Sequence, residues 1–194
     1  MEVMNKEFLR AIFGDEFVWA HVTDFFYDPE AIPKDEFGMA WAGNYYVNQK
    51  LRSRTNQYFT VSLFNTDHRN AKHQHPRPRR RKDLFRACYC IVIDDVIEKI
   101  SLDRVVDMPA PSWALETSPG SLQWGYILDE PCKDRAKIEA LLAGLIDNLT
   151  DDSIDPGMAG VTRYVRLPEG YNTKASKIKS NGGAPHINLN ASFI

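Results

Sequence analysis

The sequence has no long apolar run, no excess of either charge and almost no cysteine. No stretch approaches the roughly 20 apolar residues that a membrane-spanning helix needs, and Met1-Glu2-Val3-Met4-Asn5-Lys6 leads into no apolar core of a secretory signal. The cytoplasm is therefore the expected compartment. A formal net charge of -2 over 194 residues excludes general attraction to nucleic acid, so any such contact has to come from a local patch. The three cysteines, Cys88, Cys90 and Cys132, cannot all pair. Without a Cys-x-x-Cys spacing they read as reduced structural thiols rather than a zinc site. No internal repeat is visible, and length and composition fit one globular domain over 1–194.

What is present is a short apolar run that stops on two acids, Cys88-Tyr89-Cys90-Ile91-Val92-Ile93-Asp94-Asp95. A β-branched run of this length reads as a strand buried on both faces. Adjacent carboxylates at its exit are costly to desolvate, which points to a wet cleft where a cation compensates them, the geometry of a magnesium-dependent nucleotide site. An acidic turn is the alternative.

Along the chain, Asn5 to Phe13 predicts an amphipathic helix capped by Asn5 and stopped by Gly14. Trp19 to Tyr27 predicts a strand, with His21 a structural residue on it. The aromatic cluster Trp41-Ala42-Gly43-Asn44-Tyr45-Tyr46 suits a core or lid role, or base stacking. Tyr58 to Phe64 predicts one strand. Ser112 to Thr117 and Leu122 to Leu128, joined by Ser118-Pro119-Gly120-Ser121, predict a hairpin. Asp134 is placed to cap a helix with Ile138, Leu141, Leu142, Leu145, Ile146 and Leu149 on one face. Val161 to Pro168 predicts a strand, and residues 175–194 a polar tail with little capacity to form a core.

Between the Tyr58–Phe64 strand and the acids, residues 68–82 carry seven Lys or Arg, three His and two Pro. This composition predicts a solvated loop. If the flanking strands are neighbours, Arg77, Arg79, Arg80, Arg81 and Lys82 hang at one rim of the sheet, placed to hold a nucleic-acid backbone or a triphosphate; a merely solvated loop is the alternative. His73-Gln74-His75 has no third ligand and cationic surroundings, which argues against a metal there.

Several blocks in order carry a resemblance. They are Ile93-Asp94-Asp95-Val96 with Lys99, then Glu116 to Trp124, then Asp155-Pro156-Gly157 through Val161-Thr162-Arg163-Tyr164-Val165-Arg166-Leu167-Pro168, and finally Asn172-Thr173-Lys174. Together they resemble the catalytic domain of phage and plasmid DNA primases, the RepB-like primase-polymerase branch of the archaeo-eukaryotic primase superfamily. The likeness runs from about Tyr58 to Lys174, and more weakly over Trp19 to Tyr46.

The resemblance implies an α+β fold in which a mixed or antiparallel sheet, like that of an RNA-recognition motif, carries the acids between helices. It implies template-directed nucleotidyl transfer on single-stranded DNA with two divalent metals, Mg2+ or Mn2+, nucleoside triphosphates as substrates, and a separate replicative helicase as a partner. A phage-encoded chain would work in the host cytoplasm. Asp94, Asp95 and Asp155 match the metal ligands, with Asp151 and Asp152 competing for the third position. Ser121, Gln123, Arg163, Arg166, Asn172, Lys174 and Lys99 fall to the nucleotide.

Two departures matter. Asp94 and Asp95 are adjacent, so on a regular strand they point to opposite faces and share a site only if the strand ends, twists or bulges there. Gln123 stands where the superfamily usually has a histidine, and its amide offers hydrogen bonds without charge. Arg163 and Arg166 likewise fall on opposite faces of an ideal strand, with Arg166 the better placed. The competing class is a non-catalytic protein that binds nucleic acid or regulates replication on a primase fold, which would have no need of the acids together with the Arg and Lys set.

Overall fold

The apolar run is the middle of a 12-residue strand, β5 (Phe85–Val96), in which Ala87 to Ile93 are all buried. The computed structural model describes residues 4–32, 41, 43–66, 79–150, 159–188 and 192–193. Strand β5 lies in a five-stranded sheet of order β11-β6-β7-β5-β4. Its other members are β4 (Ser62–Phe64), β6 (Trp113–Ser118), β7 (Ser121–Cys132) and β11 (Ser192–Phe193). A second sheet, β2-β1-β3-β8, is built from β1 (His21–Phe25), β2 (Asn44–Tyr45), β3 (Asn56–Thr60) and β8 (Tyr164–Arg166). All these pairings are antiparallel. The class is α+β, as expected.

Helix α1 (Asn5–Phe13) buries Phe8, Leu9, Ile12 and Phe13, the spacing of one helical face, and ends at Gly14, whose φ of +59° suits glycine. Met4, not Asn5, occupies the cap. The Asn5 side chain instead donates to Gln57 Oε1 at 2.7 Å and accepts from the Glu169 amide at 3.1 Å, while its own amide donates to Glu169. Tertiary partners outbid the cap and fasten α1 to the turn after β8. Helix α2 (Arg135–Leu149) is capped by Asp134, which accepts from the Lys137 amide. It buries Ile138, Leu142 and Leu149, but Leu141 is 46% exposed, because it sits at the margin of the apolar stripe.

The single strand expected over Tyr58–Phe64 is two strands in different sheets. Val61 belongs to neither, and its carbonyl accepts from the Tyr89 amide. The Thr60 hydroxyl donates to the Ser62 carbonyl at 2.8 Å, satisfying locally what the ladder gives up at the crossing. Only Tyr164–Arg166 of the expected strand Val161–Pro168 is in a ladder. The stretch read as a polar tail folds back. It forms helix α3 (Ala175–Ser180) and a β10 strand (His186–Ile187) paired with β9 (Tyr171–Asn172). It also supplies β11, whose Phe193 ring lies 5.9 Å from that of Phe8. Elements this short show no sequence periodicity, and backbone ladders hold them.

Gly125 in β7 faces Trp113 across the ladder, and a Cβ there would lie 1.9 Å from the buried indole. Replacing Gly125 with alanine should destabilise the fold by about 3 kcal/mol, the upper range for overpacking, measured by denaturant unfolding.

Candidate active site

The two acids share a cleft because the strand bulges between them. Ile93 pairs with Trp124 and Val96 with Leu122, three steps along β5 against two along β7. The extra residue is accommodated with Asp95 at φ +55°, a left-handed conformation that Asp tolerates better than most residues. The amides of Lys99 and Ile100 both donate to the Asp95 carbonyl, and the Ile97 amide donates to the Ile100 carbonyl, closing the turn. Ile97 itself takes φ +77°, strain that this hydrogen-bonded turn holds in place. The objection raised by adjacency is thereby removed, and both carboxylates line one cleft of about 310 Å³ between the two sheets.

Each acid has a basic neighbour. Arg163, 5% exposed at its side chain, lies 3.6 Å from Asp94 Oδ2 and donates to the Val92 carbonyl at 2.9 Å. Lys99 Nζ lies 2.7 Å from Asp95 Oδ2, and the Ser121 hydroxyl donates to Asp95 Oδ1 at 3.3 Å. Desolvation pushes the Asp94 carboxyl above its ordinary range; Arg163 opposes this, Asp95 reinforces it, and a Gln123 hydrogen bond opposes it again. Desolvation works against the charge of Lys99, but the hydrogen bond and charge of Asp95 outweigh it and raise its pKa.

The raised Asp94 pKa has a definite consequence for stability. The native state keeps a proton that the unfolded chain loses near pH 4. The stabilisation is complete below that pH and is lost as pH rises through the native titration of Asp94. Denaturant melts from pH 4 to 8 should show wild-type stability declining relative to Asp94→Asn over this window; parallel curves would remove the assignment.

Arg166 lines the cleft and is almost fully buried. Its guanidinium donates to Asn56 Oδ1, the Tyr171 carbonyl and Asn172 Oδ1, at 3.2, 3.1 and 2.9 Å, and stacks over the Tyr58 ring. Asn172 is locked in turn by donating to the Thr117 carbonyl. Gln123 is buried, accepts from the Arg166 amide at 3.2 Å and favours the charged form of Asp94, so it sits between β8 and the acid rather than facing solvent. Lys174 lines the same cleft and pairs with Glu30 at 3.2 Å.

The remaining expected site residues are of two kinds. Asp155, Asp151, Asp152 and Arg77 lie outside the described residues. Strands β4 and β5 are paired neighbours, so the basic segment does join adjacent strands, entering β5 at the end away from the acids. Arg80 stacks over the Tyr164 ring at 4.1 Å and donates to the Thr162 carbonyl, Arg81 pairs with Asp83, and Lys82 pairs with Glu139. Arg79, Arg80, Arg81 and Lys82 are not among the residues lining the cleft.

Composition and motif order did not reveal Lys177, paired with Glu98, or that Tyr58 and Tyr164 join Trp41, from the flagged aromatic cluster, in an aromatic wall of the cleft. Trp41 and Tyr164 are nearly parallel with centroids 5.5 Å apart. Tyr164 hydrogen-bonds His21, confirming that histidine's structural place on β1. The signal available for Lys177 was its spacing three residues beyond Lys174, one turn of helix. Among the described residues, no cluster of three or more His, Cys, Asp or Glu side chains is placed to hold a metal, and no helix is long and apolar enough to cross a membrane.

No protein-family model matches the sequence, and the comparison with curated proteins found no match. One solved structure is similar. It is the AEP domain of the primase-polymerase (PrimPol) of cyanophage S-2L, with a TM-score of 0.46 and 15% identity over 77% of this chain and 72% of the other.

Proposed function

We propose that this cleft carries out metal-dependent nucleotidyl transfer, synthesising primers from nucleoside triphosphates on a single-stranded DNA template, as the order of sequence blocks resembling RepB-like primase-polymerases suggests. The observation that carries the proposal is the β5 bulge, which turns two consecutive aspartates into a cleft shared with Lys99, Arg166 and Lys174.

The donor set suits Mg2+ or Mn2+. Such ions are usually held by one or two carboxylates together with substrate phosphates and water, and a cation here would relieve the desolvation and mutual repulsion that raise the Asp94 pKa. Asp94 and Asp95 would hold the metal, with Asp155 proposed as a third ligand for a two-metal site. When bound, the metal supplies activation of a 3′-hydroxyl and offsets charge on the pyrophosphate leaving group.

The chain's own residues do the remainder. Lys99 and Lys174 line the same volume as the acids and supply positive charge to the triphosphate. Arg166, fixed by Asn56, Asn172 and Tyr58, presents charge that needs no reorganisation during reaction. Trp41 and Tyr164 offer a stacking surface for a base. Gln123 holds Asp94 in register with β8.

The test is synthesis on primed and unprimed single-stranded DNA with Mg2+ or Mn2+ and each triphosphate set; metal-dependent product is expected, and chelation should abolish it. A second reading draws on the pairing of Asp94 with Arg163 and Asp95 with Lys99, which neutralises the acids as a non-catalytic nucleic-acid-binding protein would. Single-strand binding that is unaffected by chelation, with no synthesis, would favour it.

A further inference from the structure

Asp95 presents both oxygens to partners, Oδ1 to Ser121 and Oδ2 to Lys99. The two carboxylates differ in how replaceable their cations are. Arg163 is buried and fixed by the Val92 carbonyl, whereas the Lys99 side chain is 40% exposed and faces the open cleft. Lys99 also lines an adjoining trough of about 460 Å³, where Lys174 is held by Glu30 and Lys177 by Glu98. The groups suited to phosphate are thus satisfied by carboxylates, and the group suited to a metal is satisfied by an ammonium.

Building on the nucleotidyl-transfer reading, we propose that Lys99 is an exchangeable counterion: a divalent cation and the Lys99 ammonium compete for Asp95, and the phosphates of a nucleoside triphosphate take up the displaced ammonium. Either ligand alone breaks the Lys99–Asp95 pair without replacing both halves, whereas the two together replace both. Metal and triphosphate therefore bind cooperatively, and Lys99 is the residue that couples them.

The experiment titrates the full chain with Mn2+, followed by electron paramagnetic resonance of the free ion, with and without a non-hydrolysable adenosine triphosphate analogue, each arm read against a protein-free blank because the analogue itself binds Mn2+. In the wild type the analogue should tighten Mn2+ binding. Lys99→Met should tighten binding of Mn2+ alone on the order of tenfold and abolish the enhancement by the analogue, whereas Lys99→Arg, which keeps the charge, should retain it. Asp95→Asn should weaken Mn2+ binding in every arm. Unchanged or weaker Mn2+ affinity in Lys99→Met, with the wild type still binding, overturns the exchange and leaves the nucleotidyl-transfer reading standing. No Mn2+ binding by the wild type under either condition overturns both.

Discussion

Asp94→Asn and Asp95→Asn should each reduce primer synthesis by about 10²–10³-fold, the scale on which losing one preorganised electrostatic contact slows a reaction, while leaving the folded state intact. Asparagine keeps the side-chain oxygen at position 94 that accepts from the Asp95 amide at 3.0 Å, and at position 95 it tolerates φ +55°. What it cannot keep is the charge. The bulge allows a separation of effects. Asp95→Val also removes the carboxylate, but its β-branched side chain is unsuited to the left-handed region, at a cost of about 1–2 kcal/mol. The valine variant should lose stability as well as activity, and the asparagine variant activity alone. Undiminished synthesis by both asparagine variants would remove the metal assignment.

Arg166→Met should destabilise the protein by about 2–3 kcal/mol, as expected when buried neutral acceptors lose their hydrogen bonds to a charged donor, and should abolish nucleotide binding. The thioether fills part of the volume over Tyr58 but leaves Asn56 Oδ1, the Tyr171 carbonyl and Asn172 Oδ1 without the guanidinium that now serves all three. Arg166→Lys should fail as a rescue, because an ammonium cannot reproduce the planar fork. Denaturant unfolding together with nucleotide titration checks both effects. A loss of binding with full stability would assign Arg166 to the ligand alone, and full stability with full binding would remove it from the site.

Local signals in the sequence were strong enough to locate β5, the β6–β7 hairpin, α1 and the Asp134-capped α2. Each rests on its own periodicity or turn chemistry. The split at Val61 was hidden because alternate membership of two sheets leaves Tyr58 to Phe64 equally apolar on either side of the crossing. The cap at Asn5 was misread because its winning partners, Gln57 and Glu169, are remote in sequence. In the candidate site, adjacency flagged Asp94 and Asp95, while the bulge that makes them useful depends on register with β7. The roles of Gln123 and Asn172 as fasteners, and the arrival of Lys177, likewise follow from packing that no local pattern encodes.

The two-residue strand β11 has a consequence beyond its size. By pairing Ser192 with Ala114 and Phe193 with Trp113, it covers part of the outer rim of β6, where bare N–H and C=O groups would otherwise template a stranger's backbone. Loss of the β11–β6 pairings would leave the residues of the cleft in place yet expose a sheet edge prone to edge-to-edge aggregation.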